Sequence, residues 1–84
     1  MTTTLPTPLT SRQREILAWA AAYIADHGYS PTVLELRLAF QFTSPNGALC
    51  HLRSLRRKGL VEWQPGRSRT LRLTSLGEEV NRGG

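Results

Sequence analysis

Apolar residues recur every three to four positions as far as Gly59 and at every second position after it, so the chain divides into a helical part and a strand part. Thr10, with Gln13 three residues on, is a capping box. Behind it Ile16, Leu17, Ala20, Tyr23 and Ile24 make one apolar side, broadened by Trp19 and Ala21, until His27 and Gly28 end the helix. His27 lies in the last turn, where its role is to favour the helix dipole. Residues 29–31 are extended, because the residue before Pro31 is pushed out of the helical region. Thr32 with Glu35 forms a second capping box and opens a helix of barely two turns, with Leu36 and Phe40 facing the core. Residues 41–43 are the turn, and Phe42 is the core residue that pins it.

A third helix starts at Ser44, Pro45 and Asn46: a side-chain cap, then a proline whose missing N–H costs nothing at that position. Gly59 stops it. At about 100° per residue, Pro45, Ala48, Leu52, Leu55 and Arg56 fall within about 60° of one direction and form the expected buried stripe. The opposite side carries Asn46, Gly47, Cys50, Ser54 and Arg57, with Arg53 at its edge. This side is small near the helix N-terminus and cationic near the C-terminus, which suits entry into a groove. The plain alternative is a solvated face.

After Gly59, residues 60–63 and 69–73 read as two strands of a hairpin joined through Gln64, Pro65, Gly66, Arg67 and Ser68. Leu71 and Leu73 alternate with Thr70 and Arg72, and Trp63 is the hairpin's large apolar group. Arg67 and Arg69 then sit on a protruding tip. The expected fold is mainly α with a small β-hairpin: a winged helix-turn-helix of three helices plus wing over residues 9–73. Residues 74–84 form a short extension in which Ser75 with Glu78, and Leu76 with Val80, allow a final helix. Val80 has the alternative of a dimer contact. Residues 1–8, rich in Thr and Pro, read as a flexible lead-in, and residues 82–84 as disordered.

Charge sharpens the picture. The 84 residues suffice for one small domain with a net charge of +5. Residues 1–43 balance three basic against three acidic side chains, whereas residues 44–73 carry seven basic ones against Glu62, a local excess of +6. A one-sided basic surface favours a polyanion, and nucleic acid over membrane, because the longest apolar stretch, residues 18–25, is far too short to span a bilayer. Residues 1–8 are polar and uncharged, without the pattern of a secretory signal, so the expected location is the cytoplasm, on the nucleoid. Cys50, His27 and His51 have no zinc-site spacing, one cysteine makes no intramolecular disulfide, and no cofactor is expected. No phosphate-cradling glycine loop, catalytic dyad or paired carboxylate motif is present, so an enzyme is not expected.

The residues resemble the DNA-binding domain of LexA-type repressors, which control the bacterial DNA-damage response. The resemblance rests on Leu9-Thr10-Ser11-Arg12-Gln13, Gly28 with Pro31-Thr32 and Glu35-Leu36, Phe42-Thr43-Ser44-Pro45-Asn46, His51-Leu52-Arg53, and Arg57-Lys58-Gly59 with Glu62, Gly66, Ser68-Arg69 and Arg72-Leu73. It covers about residues 9–73 without a gap. It implies a winged helix-turn-helix that reads the major groove with helix 44–58 and meets the minor groove or backbone with wing 63–70. Three departures limit what carries over. The family has two acidic residues where this chain has Leu49 and Cys50, and usually glycine where it has Gln41, which must then adopt a left-handed conformation or alter the turn. The family's C-terminal domain, with its dimerisation and Ser-Lys self-cleavage, has no counterpart in these residues, so neither self-cleavage nor damage sensing is implied.

The candidate base-contacting residues are therefore Ser44, Asn46, Gly47, Leu49 and Cys50. The candidate backbone-contacting residues are Arg53, Arg57, Lys58, Arg67, Ser68 and Arg69. The expected partner is double-stranded DNA, bound sequence-specifically by a small regulator of bacterial, phage or mobile-element type, as a homodimer on a palindromic site or with a partner protein. The alternative is a winged-helix interaction module, an inhibitor or adaptor, that sets its basic face against an acidic protein.

Overall fold

Both capping boxes form as the sequence predicts. In the computed structural model, which describes residues 9–83, the Thr10 hydroxyl accepts from the Gln13 N–H at 3.1 Å while the Thr10 N–H donates to Gln13 Oε1. They open α1 (Ser11–His27), which Gly28 ends at φ 76° by donating to the Ile24 carbonyl. Thr32 and Glu35 make the same reciprocal pair at the start of α2 (Val33–Phe40). The third helix, α3 (Pro45–Arg57), follows a four-residue connection, and the hairpin is β1 (Val61–Glu62) and β2 (Arg72–Leu73), antiparallel with Val61 opposite Leu73 and Glu62 opposite Arg72. A final helix, α4 (Ser75–Asn81), closes the described chain. The lead-in expected over residues 1–8 lies outside the described residues, as does Gly84.

This is a winged helix-turn-helix with one core. Ile16, Leu17 and Ala20 of α1 meet Leu36 of α2, Ala48, Leu52 and Leu55 of α3, then Leu60, Val61, Leu71 and Val80. Burial at this level makes each leucine matter: truncating the fully buried Leu55 to alanine costs about 2–5 kcal/mol. Gln13 is also buried, at 7% exposure, and its amide bridges helices: Nε2 donates to Ser54 Oγ at 2.9 Å and Oε1 accepts from Lys58 Nζ at 2.7 Å. No apolar residue can supply such a link, and it fixes α1 against the end of α3.

Four expectations about the C-terminal half change. The strands contract to two residues each, because residues 64–69 turn outward and are all exposed. The cap of α4 is Thr74 instead of Ser75, with the Thr74 hydroxyl accepting from the Gly77 N–H at 3.0 Å. Val80 is 5% exposed within the single chain and joins its core, so it offers no dimer contact. Arg82 and Gly83, expected to be disordered, complete the turn after α4 through N–H bonds to Glu78 and Val80 carbonyls. Gly77 permits this docking: a Cβ there would stand 1.9 Å from the Leu60 carbonyl oxygen.

Candidate nucleic-acid interface

The turn between α2 and α3 sets how the third helix is presented. Gln41 takes the left-handed conformation, φ 57° and ψ 38°, one of the two alternatives its place in the turn allowed. The Phe42 N–H then reaches back to the Arg37 carbonyl at 3.0 Å, and Arg37 returns its guanidinium to the carbonyls of Phe42 (3.3 Å) and Thr43 (3.2 Å). Those two carbonyls would otherwise be left to solvent beside the turn. Phe42 packs between Phe40 and His51, with ring centroids 6.2 and 5.5 Å away, and a Cβ on Gly47 would meet the Phe42 ring at 3.1 Å. The N-terminal end of α3 is thus seated closely on the turn.

This seating turns α3 about its axis by several tens of degrees from the expected orientation. Ala48, Leu52 and Leu55 are buried as expected, but Pro45 and Arg56 are exposed. Conversely Gly47 faces Phe42 and Ser54 accepts from Gln13, so neither belongs to the outward side. The exposed arc is Pro45, Asn46, Cys50, Arg53, Arg56 and Arg57, with Leu49 half-exposed among them. Arg53, expected at the edge, is at its middle by helical rotation. Ser44 stands at the head of the arc; its hydroxyl makes no cap bond, contrary to the expected side-chain cap, and the residue is exposed. Among the described residues none forms an ion pair with Arg53, Arg56, Arg57 or Arg67.

Lys58 is placed differently from those arginines. Half-buried at the end of α3, it directs Nζ to Gln13 Oε1. Sequence reasoning also missed Arg56, whose guanidinium lies 4.9 Å from the Trp63 ring centroid and bridges α3 to the wing. The tryptophan was legible; its pairing with a residue assigned to the buried stripe was not.

In the wing, Gln64-Pro65-Gly66-Arg67 is a tight turn: the Arg67 N–H donates to the Gln64 carbonyl at 3.1 Å, and Gly66 has φ 80° at the position where a proline-led type II turn requires it. Thr70 stitches the base, its hydroxyl accepting from the Gln64 N–H at 2.8 Å and donating to the Arg67 carbonyl at 3.2 Å. Arg67 and Ser68 project as expected. Arg69 does not project as an unpaired tip cation. It grips Glu35 with both nitrogens, 3.2 Å to each carboxylate oxygen, donates to the Ser30 carbonyl at 3.0 Å and lies 4.7 Å from the Tyr29 ring centroid. Glu35 therefore serves both the α2 capping box and the wing. Its carboxyl is held well below the usual range, at about 2, first by the Thr32 N–H and then by Arg69 and Tyr23.

No group of three or more potential metal ligands occurs among the described residues, and Cys50 is a free, exposed thiol. Among the described residues no helix is long and apolar enough to cross a membrane. The surface is instead a cationic helix face beside a cationic turn, on a helix-turn-helix frame. Residues 6–70 match the family described as the LexA DNA binding domain. The chain belongs to the LexA DNA-binding domain family. Its relatives include the LexA repressor of Acidithiobacillus ferrooxidans, 51% identical over 72 residues that make up 86% of this chain and 35% of that protein. It is also similar to the LexA repressor of Halorhodospira halophila, 50% identical over 66 residues (79% of this chain, 29% of that one). A third is the LexA repressor of Anaeromyxobacter dehalogenans, 45% identical over 76 residues (90% and 33%). The chain thus spans about a third of the length of the LexA repressors it matches. Leu49 and Cys50 both lie on the outward arc of α3, half-exposed and exposed respectively.

Proposed function

We propose that this domain binds double-stranded DNA sequence-specifically as a small transcriptional regulator, with α3 in the major groove and the wing on the backbone or minor groove. What supports this reading most is the arc of α3: Asn46, Leu49 and Cys50 beside Arg53, Arg56 and Arg57, none of these arginines ion-paired among the described residues. Short and apolar side chains near the helix start let the backbone approach base edges, while the arginines farther along meet phosphates. Ser44, with an unengaged hydroxyl at the helix start, joins Asn46, Leu49 and Cys50 as a base neighbour. Gly47 contributes by letting α3 sit close to the turn, and Ser68 joins Arg67 at the wing tip. A homodimer on a palindromic site, acting as a repressor in the cytoplasm, is the assembly this reading favours, because a single module buries too little surface to bind tightly.

The test is the salt dependence of duplex binding. Four arginines, Arg53, Arg56, Arg57 and Arg67, release about four counterions, so the log-log slope is about −3 to −4 per module. A slope near zero would remove the groove-binding reading. A second reading, docking on another protein, is favoured by one observation: the apolar Leu34 and Leu38, one turn apart on α2, are 58% and 67% exposed. A random-sequence duplex left unshifted at low salt would select it.

A further inference from the structure

The β ladder that carries the wing has only two residue pairs, and residues 64–69 beyond it are all exposed. A groove of about 300 Å³ lies between this turn and α2, walled by Val33, Leu34, Trp63 and Leu71. Apolar packing therefore does not hold the tip. What crosses the groove is Arg69, which reaches 34 residues back in sequence to Glu35 and 39 back to Ser30. The contact is bidentate on both carboxylate oxygens, backed by a main-chain carbonyl and by the face of Tyr29. This is the geometry in which a guanidinium is not replaceable by an ammonium. Arg69 also holds φ 59°, a left-handed conformation that a non-glycine residue adopts at a cost and that fixes the direction of the chain at the tip. Glu35 in turn is fixed by its bond to the Thr32 N–H at 2.8 Å, so the clamp is anchored to the first turn of α2.

We infer that Glu35 and Arg69 are positioning residues that clamp the wing to the helix-turn-helix, setting where Arg67 meets the DNA backbone, and that Arg69 is not itself a phosphate contact. The inference rests on the DNA-binding reading for its consequence but not for its geometry. A phosphate-contacting Arg69 and a clamping Arg69 make opposite forecasts for Glu35→Gln. Simple electrostatics says that removing a carboxylate from a DNA-binding surface tightens binding. The clamp says that it weakens binding, because the wing loses its fixed position and ordering it again on DNA opposes association.

The experiment measures duplex affinity for the wild type, Glu35→Gln, Arg67→Ala and the double variant, together with amide hydrogen exchange of residues 63–70 in the DNA-free proteins. Glutamine at this position keeps the capping box, so α2 stays formed, and circular dichroism checks it. The expected result is binding weakened about threefold to tenfold by Glu35→Gln, with the cost of Arg67→Ala reduced by at least about half (as a logarithm) in that background. Wing amides exchange faster in Glu35→Gln while those of α1 and α3 do not. Unchanged or tighter binding by Glu35→Gln, or an undiminished Arg67→Ala effect, would overturn the clamp. If the wild type fails to bind any duplex, the DNA-binding reading falls, and hydrogen exchange still decides the clamp: unchanged wing exchange refutes it.

Discussion

Gln41 and Arg69 are the non-glycine residues with positive φ among those described, at 57° and 59°, yet replacing each with glycine should have different consequences. The left-handed conformation costs a residue with a Cβ about 1–2 kcal/mol. Glycine removes that strain but loses about 0.4–1 kcal/mol more chain freedom on folding. Gln41 is exposed, and its backbone N–H, which glycine keeps, makes the cap bonds to Arg37 and Leu38 carbonyls. The net expectation for Gln41→Gly is a gain of about 0.5–1 kcal/mol, which for a domain of this size raises Tm by about 2–8 °C. Arg69→Gly relieves the same strain but deletes the bonds to Glu35 and Ser30, so its Tm does not rise. Thermal unfolding of the three proteins in one buffer, followed by circular dichroism and calorimetry, makes the comparison. A lower Tm for Gln41→Gly would show that the turn depends on the glutamine side chain. An equal rise in both variants would show that the Arg69 contacts contribute nothing to the fold.

Gly77→Ala should destabilise by about 3 kcal/mol or more in denaturant titration, because its Cβ would stand 1.9 Å from a main-chain oxygen that cannot move without displacing β1; near-wild-type stability would mean that α4 is not docked there. Glu35 has a folded pKa of about 2 against an ordinary 4.5, so the stability it contributes is complete above about pH 4.5 and is lost as pH falls toward 2. Glu35→Gln should therefore flatten the acid limb of a stability-versus-pH curve in that window, and an unchanged limb would contradict the capping and clamp contacts. Cys50 is exposed at the arc of α3, so a saturating duplex should slow its alkylation by a thiol reagent; equal rates with and without bound duplex would place α3 outside the contact.

How far the sequence reached depended on whether a feature was local. Capping boxes at Thr10 and Thr32, the stop at Gly28 and the alternation around Leu71 are set by residues within a turn of one another, and all were legible. The rotation of α3 was not, since it is decided by Gly47 seating on Phe42 and Ser54 on Gln13, and the latter contact spans 41 positions. A helical wheel sorts residues by angle alone and so placed Arg56 in the buried stripe and Gly47 outside it. The long-range polar links were equally hidden: nothing near Arg69 in the chain announces Glu35, and nothing near Lys58 announces Gln13.

The central claim, that the exposed arc of α3 reads base pairs, is tested most directly by selecting bound duplexes from a random pool with the wild type, Asn46→Ala and Cys50→Glu. On this account Asn46, which offers a donor and an acceptor, should discriminate by about 1–3 kcal/mol, Leu49 and Cys50 should favour a thymine methyl, and a glutamate at position 50 should accept from cytosine N4. The account predicts a palindromic wild-type site, a relaxed preference at one or two base pairs per half-site for Asn46→Ala, and a newly acquired cytosine for Cys50→Glu. Recovery of the same sequence by all three proteins would contradict it and place the reading surface elsewhere on the domain.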